Sequence, residues 1–300
     1  MPSPLFVGLD AGGTKTAALA SQGGPTTRLD GPGAQVLRDG PEAVAATLAT
    51  LVRDAQASSG GADLGGVAVG LAGAGRAEQR EAVMRALQTR LDGTPVLVTH
   101  DADVALEAAF GPGGGMLVLV GTGSLVYART DDGETLRAGG WGAALGDDGS
   151  GTALGRGALR AALAAYDGGP PTALVEGMAS RFGLGSSPAI ISAVYLDGLP
   201  LADLAPVVLA AVEADDWVAS SLLMRETNAL GQQAGWLATR AGDATPHRLA
   251  YAGGLSGEPV YRASLESALE RHLPGWTLAP CGAEPVEGAL AMAQRLAASV

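Results

Sequence analysis

One short pattern occurs twice in this chain and limits what it can fold into: an apolar run, a turn rich in glycine and threonine, and a second apolar run. The first copy lies within residues 5–20 and the second within residues 116–129. Apolar runs of this length on either side of a glycine turn are typical of β-hairpins. Two copies about one domain apart indicate an internal repeat and therefore two lobes with a common plan.

The size and charge of the chain limit the fold and the kinds of molecule that it can bind. Its 300 residues suffice for two domains with separate cores, and 47% hydrophobic with 17% charged residues is typical of a globular protein. The formal net charge of −12 disfavours nucleic acid, because a phosphodiester backbone would be repelled. A single nucleotide is still compatible, since a bound metal and a few backbone amides can neutralise its phosphates locally.

Cysteine and histidine content argues for a reduced compartment. Cys281 is the single cysteine, so no internal disulfide can form, and the three histidines do not have zinc-ligand spacing. The first residues lack a basic leader, and no apolar stretch is long enough to cross a bilayer. We expect a cytoplasmic protein that binds neither membrane nor nucleic acid.

Strand-like and helix-like segments alternate along the chain, which predicts an α/β fold. A glycine-rich stretch at 111–115 is the expected break between domains. We therefore expect an N-terminal α/β lobe at 1–112 and a C-terminal α/β lobe at 113–300. The last helix, from Pro285, is expected to pack back on the N-terminal lobe.

The first turn carries the strongest chemical signal in the sequence. Glycines allow backbone to approach a ligand, and neighbouring amides and hydroxyls can contact phosphate oxygens. An acid beside a phosphate would repel it unless Mg²⁺ lies between them, directly or through water, so Asp10 is the expected metal residue. Thr14 stands where a Walker loop requires lysine, so the segment is not of that type. The candidate phosphate-binding residues are Asp10, Gly12, Gly13, Thr14, Lys15 and Thr16.

The second turn, at 121–124, offers further hydroxyls and amides with which to hold a polyphosphate from another side. Asp101 follows a strand-like segment, and acids at such strand ends face the ligand crevice in α/β folds. It could be a general base for an acceptor hydroxyl, or it could cap the next helix. The same two alternatives apply to Asp103.

A glycine-rich loop with an aromatic residue and paired acids follows at 139–151. Trp141 and Asp147 are residue types that recognise sugars, through ring stacking and through hydroxyl acceptance. The alternative is a solvated loop in which Asp147 or Asp148 caps the following helix. The later turn at 253–257 is a candidate surface for a flat nucleotide base.

These segments, in this order, resemble the BadF/BadG-type ATPase and N-acetylglucosamine kinase group of the actin-like ATPase superfamily. The resemblance covers the whole chain and implies two ribonuclease-H-like lobes of the sugar kinase/Hsp70/actin type, with ATP and Mg²⁺ in a cleft between them. It implies that Asp101 is the catalytic base. It also implies nucleotide contacts at Gly121, Gly123, Ser124, Gly253, Gly254 and Ser256, and sugar contacts at Gln35, Thr122, Gly140, Trp141, Gly142 and Asp147.

The chain departs from the group's pattern near the third strand. Kinases of this group that bind N-acetylglucosamine often carry an asparagine there, whereas this chain has Gln35, whose extra methylene shifts the amide. The acceptor could then be another amino sugar or a hexose. Dehydratase activators of the same group hold an iron–sulfur cluster through paired cysteines, and Cys281 alone argues against that branch.

The sequence therefore predicts an ATP-dependent sugar kinase that phosphorylates N-acetylglucosamine, glucosamine or a related sugar, at the primary hydroxyl, as a homodimer. Two other readings stay open. One is a nucleotide-dependent conformational switch or activator ATPase that transfers no phosphoryl group to a sugar. The other is an inactive sugar sensor, although both Asp101 and Thr14 are retained.

Overall fold

The computed structural model describes residues 3–298, and their side chains as far as residue 296. The chain forms two compact units. The first consists of the residues up to Gly113 together with the segment from Cys281 onward, and the second is Gly114–Pro280. The terminal segment, which followed the second lobe in the expected limits 1–112 and 113–300, thus lies in the first unit. Each unit has its own five-stranded sheet and its own core.

The helices and strands follow one another in two blocks. The first unit contains β1 Leu5–Ala11, β2 Lys15–Ser21, β3 Thr27–Pro32, α1 Val36–Asp39, α2 Pro41–Ser58, β4 Leu64–Leu71, α3 Ala77–Arg90, β5 Val96–His100 and α4 Asp101–Phe110. The second contains β6 Gly115–Val120, β7 Ser124–Arg129, β8 Thr135–Gly139, α5 Gly151–Tyr166, α6 Leu174–Phe182, α7 Ser187–Tyr195, α8 Ala205–Glu213, α9 Trp217–Ala241, β9 Arg248–Ala252, α10 Pro259–His272 and β10 Thr277–Pro280. Helix α11, Pro285–Ala298, returns to the first unit, and short 3₁₀ turns lie at Leu201–Leu204, Gly242–Ala244 and Gly254–Gly257.

The two sheets have the same connectivity. In the first the strand order is β3-β2-β1-β4-β5, and in the second it is β8-β7-β6-β9-β10. Each begins with three antiparallel strands joined by hairpins, and each continues with two parallel strands beside the first strand of the hairpin. The repeat read from the two glycine turns therefore extends to whole sheets, and the expected α/β fold is confirmed.

Side chains alternate along the central strands of the first sheet, so each strand presents apolar residues to both faces. Helices cover both of these faces. On β2, Ala18 and Ala20 point into the large core shared with α2 and α3. Ala17 and Leu19 point to the other face, where they contact Leu290 of α11. Helix α11 thus closes the face of the sheet opposite α2, which explains why it belongs to the first unit.

The core of the second unit is built on β6 and the long helix α9. Met116 and Val118 of β6 are fully buried and share one apolar cluster with Leu230 and Leu237 of α9. Helix α9 starts where the Asp216 carboxylate accepts a hydrogen bond from the Ala219 amide at 2.8 Å. Although α9 has 25 residues, neither it nor any other helix within residues 3–298 has the length and apolar character of a membrane span.

Candidate functional site

The first turn joins β1 to β2 and is fixed by hydrogen bonds to the segment after β3. The Gly12 amide donates to the Lys15 carbonyl at 3.0 Å, and the Ala34 amide donates to the Gly12 carbonyl at 2.9 Å. The hydroxyl of Thr16, which is fully buried, donates to the carbonyl of Pro32 at 2.8 Å. Thr14, at the tip of the turn, is exposed. The turn is therefore a rigid element whose tip can meet a ligand.

A guanidinium group lies beside this turn, and no pattern in the sequence pointed to it. Arg38, in the short helix α1, donates to the Gly13 carbonyl at 3.3 Å and to the Asp39 carboxylate at 2.7 Å. The hydrogen bond from Arg38, followed by that from the Gln35 amide, lowers the pKa of Asp39 to about 2. Gln35 is thereby held next to the turn through its backbone, with its side chain half-buried.

Two carboxylates lie at the ends of parallel strands of the first sheet. Asp10 is near the end of β1, and Asp101 follows β5 directly. Burial, and next the negative charge of Asp101, raise the pKa of Asp10 from 3.8 to about 6, although Lys15 acts in the opposite direction. The two acids are thus close enough to repel each other, and a cation between them would relieve that repulsion.

The start of α4 determines the surroundings of Asp101. His100 is the N-cap residue, and its Nδ1 lies 2.7 Å from Oδ1 of Asp101. The Asp103 carboxylate accepts hydrogen bonds from the Thr99 hydroxyl and, at 3.1 Å, from the His100 amide. Of the two alternatives for Asp103, its contacts are those of a helix cap. Asp101 stands one position inside the helix, with 36% of its side chain exposed.

The second turn, between β6 and β7, is tied to the start of α5. The Thr152 hydroxyl donates to the Thr122 carbonyl at 2.7 Å, and the Gly151 amide donates to the Gly121 carbonyl at 2.8 Å. The Ser124 hydroxyl donates to the carbonyl of Asp148 at 2.7 Å. As in the first turn, the threonine at the tip, Thr122, is exposed, whereas Ser124 is buried.

The loop at 139–151 carries the aromatic and acidic candidates. The Gly142 amide donates to Oδ1 of Asp147 at 3.1 Å, and burial raises the pKa of Asp147 above its usual value. Trp141 is 62% exposed, and its ring stacks on the guanidinium of Arg137 at 4.3 Å. The Asp148 carboxylate accepts a hydrogen bond from the Gln233 side chain at 2.7 Å, and this contact ties the loop to α9.

Ser150, not Asp147 or Asp148, caps α5, because its hydroxyl accepts the Ala153 amide at 3.2 Å. The alternative reading of the two acids as helix caps is therefore wrong. Gly140 and Gly142 both have positive φ and shape the loop around Trp141.

A cavity of about 500 Å³ lies in the second unit, next to the second turn. Gly254 and the following residues form one part of its lining, and α8 forms another. Gly253 has φ +107, and a Cβ there would lie 2.2 Å from the Val120 carbonyl, so the turn that opens the cavity requires glycine. The Ser256 hydroxyl donates to the Gly253 carbonyl at 2.7 Å and holds this turn closed. The cavity is lined by Gly121, Thr122, Gly151, Arg181, Ala202, Asp203, Ala205, Pro206, Leu209, Ala210, Glu213, Gly254, Leu255 and Glu258.

The candidates thus form two groups. In the first unit, the turn at 12–16 lies next to Gln35, and Asp10 lies near Asp101. In the second unit, the turn at 121–124 borders both the acidic loop and the cavity at Gly254. Within residues 3–298, no group of three or more histidine, cysteine or acidic side chains could hold a metal by itself. The sequence did not point to α8 as part of the cavity lining, because most of the lining residues of this helix are apolar and resemble an ordinary helix core.

Comparison with known proteins finds sugar kinases among the chain's relatives. The chain is 30% identical over 226 residues to an N-acetylmuramic acid/N-acetylglucosamine kinase of Clostridium acetobutylicum, covering 72% of this chain and 74% of that one. It is 28% identical over 249 residues to the N-acetyl-D-glucosamine kinase of Dictyostelium discoideum, covering 77% and 78%. Its fold matches the crystal structure of a Chromobacterium violaceum protein provisionally assigned as an N-acetylglucosamine kinase, with a TM-score of 0.75, 26% identity and coverage of 99% and 100%.

The fold and the two glycine turns define a protein of the sugar kinase and actin-like ATPase type. The sequence profile of the BadF/BadG/BcrA/BcrD ATPase family matches residues 7–293, and the chain belongs to that family.

Proposed function

We propose that the protein is an ATP-dependent kinase that phosphorylates a hydroxyl of N-acetylglucosamine, glucosamine or a related sugar. The family membership and the names of the two relatives support the reaction class. The observation that carries the proposal is the state of Asp101: its carboxylate is partly exposed, stands at the end of a parallel strand, and has one oxygen held by hydrogen bonds. A carboxylate in that state can accept a proton.

The nucleotide is assigned to the two turns and the cavity. In this proposal Thr14 and Lys15 contact the phosphates from the first turn, and the amide of Gly123 contacts them from the second, while the amide of Gly121 donates to the Gly123 carbonyl at 2.9 Å and holds that turn. The cavity at Gly254 takes the adenosine, since about 500 Å³ lies in the usual size range of small-ligand pockets. The hydroxyls of Thr16, Ser124 and Ser256 hold the turns in shape while their oxygens stay able to accept.

The acceptor sugar is assigned to the remaining polar groups. Gln35 and Thr122 would contact its hydroxyl or amide groups, the exposed ring of Trp141 would offer a stacking face, and Asp147 would accept from a hydroxyl. The left-handed conformation and buried hydrogen bond of Asp147 fix its carboxylate in advance, which lowers the ordering cost of binding.

The donor set around Asp10 fits Mg²⁺. Mg²⁺ in kinases is held by one or two carboxylates together with substrate phosphates, which agrees with the lack of a protein-only cluster in the described residues. The raised pKa of Asp10 shows that its negative charge is unfavourable here without a cation. When bound, the ion neutralises charge on the phosphates; Asp10 would hold it, directly or through water.

In the transfer step the sugar hydroxyl gives its proton to Asp101 while its oxygen bonds to the γ-phosphorus, and the bond from phosphorus to the ADP oxygen breaks. Phosphoryl transfer depends chiefly on positioning and charge stabilisation, and a general base adds about 10²–10⁴-fold. The homodimer and the cytoplasmic location remain part of the proposal and are not needed for this step.

The test is Asp101→Asn in a coupled assay of ADP release, with a panel of hexoses, amino sugars and N-acetylated sugars. We expect kcat to fall about 10²-fold or more while ATP still binds, because asparagine keeps the shape but cannot accept the proton. Near-normal turnover by this variant would refute the role of Asp101. ATP hydrolysis that no sugar stimulates in the wild-type protein would instead favour the conformational switch.

A further inference from the structure

Asp101 is preceded by a histidine whose ring contacts the same carboxylate. Nδ1 of His100 lies 2.7 Å from Oδ1 of Asp101, and the Ala102 amide lies 2.9 Å from that oxygen. Two lone pairs at 2.7 Å would repel each other, so the proton of the imidazole belongs on Nδ1. A protonated Nδ1 cannot accept the Ala102 amide, which is 3.1 Å away, and that amide therefore donates to Asp101.

The histidine ring is itself held in place. His100 is the N-cap of α4 with 19% of its side chain exposed, and its backbone amide donates to the Asp103 carboxylate at 3.1 Å. The packing and the helix start thus restrict rotation of the ring. Within the described residues no donor reaches the second oxygen of Asp101, Oδ2. Oδ1 of Asp101 is therefore held by hydrogen bonds, and Oδ2 can accept one from a ligand.

We propose that His100 is a positioning residue of the phosphoryl transfer: its Nδ1–H fixes Oδ1 of Asp101, so that Oδ2 is the oxygen that takes the proton of the acceptor hydroxyl. The inference rests on the proposed function, since it gives His100 a role only through Asp101. A base must be held within hydrogen-bond reach of the proton it removes, and a shift of about 1 Å can cost about 10²-fold in rate.

The charges around the ring affect how this pair responds to pH. Burial disfavours the charged imidazole, but the hydrogen bond and charge of Asp101 and the charge of Asp103 outweigh it and raise the pKa of His100, against the opposing charge of Arg80. Both the neutral ring with its proton on Nδ1 and the doubly protonated ring donate to Asp101. The doubly protonated ring also places a positive charge beside Asp101, so the two protonation states of the ring put different charge next to Oδ2.

The experiment compares His100→Ser with His100→Asn in the full chain. Both replacements are good N-cap residues, so both keep the start of α4. The amide nitrogen of asparagine is the same number of bonds from Cα as Nδ1, whereas the serine hydroxyl is one bond shorter. We expect His100→Ser to lower kcat about 10- to 10²-fold with KM for ATP changed less than about threefold, and His100→Asn to recover most of kcat.

The pH profile gives a second readout that helix stability alone would not change. In His100→Asn the acid limb of kcat should contain one titrating group fewer than in the wild type, because asparagine does not ionise. Thermal melting of both variants checks that they are folded, and with two capping residues we expect their melting temperatures to lie within a few degrees of each other.

The outcomes separate this inference from the proposed function. If Asp101→Asn is inactive and His100→Ser turns over within about twofold of wild type, the positioning role is overturned and the kinase proposal stands. If His100→Asn is as impaired as His100→Ser, donation to Oδ1 is not the role of the ring, and the inference is likewise overturned. If Asp101→Asn keeps normal turnover, the role of Asp101 as the base fails first, and the inference about His100 falls with it.

Discussion

Asp10→Asn should make the protein more stable at neutral and alkaline pH while it removes activity. The pKa of Asp10 is raised from 3.8 to about 6, a difference of 2.2 units, which at about 1.36 kcal/mol each corresponds to about 3 kcal/mol. Above pH 6 the folded protein bears this whole cost, because it must hold an ionised carboxylate that burial and Asp101 disfavour. Asparagine removes the charge with little change of shape.

The pH dependence of this gain in stability follows from the direction of the pKa shift of Asp10. A raised pKa means that the folded state binds the proton more tightly than the unfolded state, so the destabilisation by Asp10 decreases as the pH falls from about 6 and vanishes below 3.8. We expect Asp10→Asn to gain about 1–3 kcal/mol of unfolding free energy near pH 8, with the lower figure if the buried amide lacks a hydrogen-bond partner. The gain should shrink steadily between pH 6 and pH 4.

Urea denaturation of both proteins without nucleotide or metal measures this difference. Asp39→Asn is a matched control of opposite sign, because the pKa of Asp39 is lowered to about 2 by Arg38, so its removal should destabilise at neutral pH. Equal stability of wild type and Asp10→Asn near pH 8 would refute the reasoning. A gain that is the same at pH 4 as at pH 8 would also refute it, since then charge is not the cause.

Two further predictions concern the second unit. Gly253→Ala should lower the unfolding free energy in urea denaturation by about 1–3 kcal/mol, because its φ is +107 and the new Cβ would lie 2.2 Å from a carbonyl oxygen. Gly257→Ala is the control and should change the stability little, because a Cβ there meets open space. Equal effects of the two substitutions would contradict this reasoning. Ala210→Trp should raise KM for ATP about tenfold or more with a smaller effect on kcat, because it fills the wall of the 500 Å³ cavity. Ala214→Trp is the matched control, because Ala214 lies one turn after Ala210 and is not among the residues that line the cavity. An unchanged KM in Ala210→Trp would remove the cavity from the nucleotide site.

The local pattern of the sequence was enough to predict the hairpins. The strand signals at 5–9 and 116–120 were correct because each apolar run is followed by glycine, which sets both the end of the strand and the turn. The strands β8 and β10 were not predicted, since Thr135–Gly139 and Thr277–Pro280 are short and mostly half-exposed. Their pairing is decided by the neighbouring strand, which a local pattern does not contain.

The terminal segment shows a different limit of sequence reasoning. A terminal helix that packs back on the N-terminal lobe was expected, but the sequence does not show which residues of the helix and of the lobe meet. In the structure Val286 and Leu290 share an apolar cluster with Ala17 and Leu19 on the outer face of β2. That contact joins residues far apart in the chain, so it is a property of the folded unit. The cleft expected between the lobes stays a prediction.

At the candidate site, residue type was enough to predict the two turns. It was not enough to tell which of their hydroxyls form hydrogen bonds inside the turn and which stay exposed. Thr16 and Ser124 use their hydroxyls to fix the backbone of their own turns. Thr14 and Thr122, at the tips, are exposed, and within the described residues their side chains donate to no protein group. A buried hydroxyl must donate somewhere, because an unpaired one costs about 1–3 kcal/mol, whereas an exposed one can exchange water for a ligand. Burial, which the sequence does not show, therefore assigns a structural role to the hydroxyls of Thr16 and Ser124, and it leaves those of Thr14 and Thr122 as the ones proposed to contact a ligand.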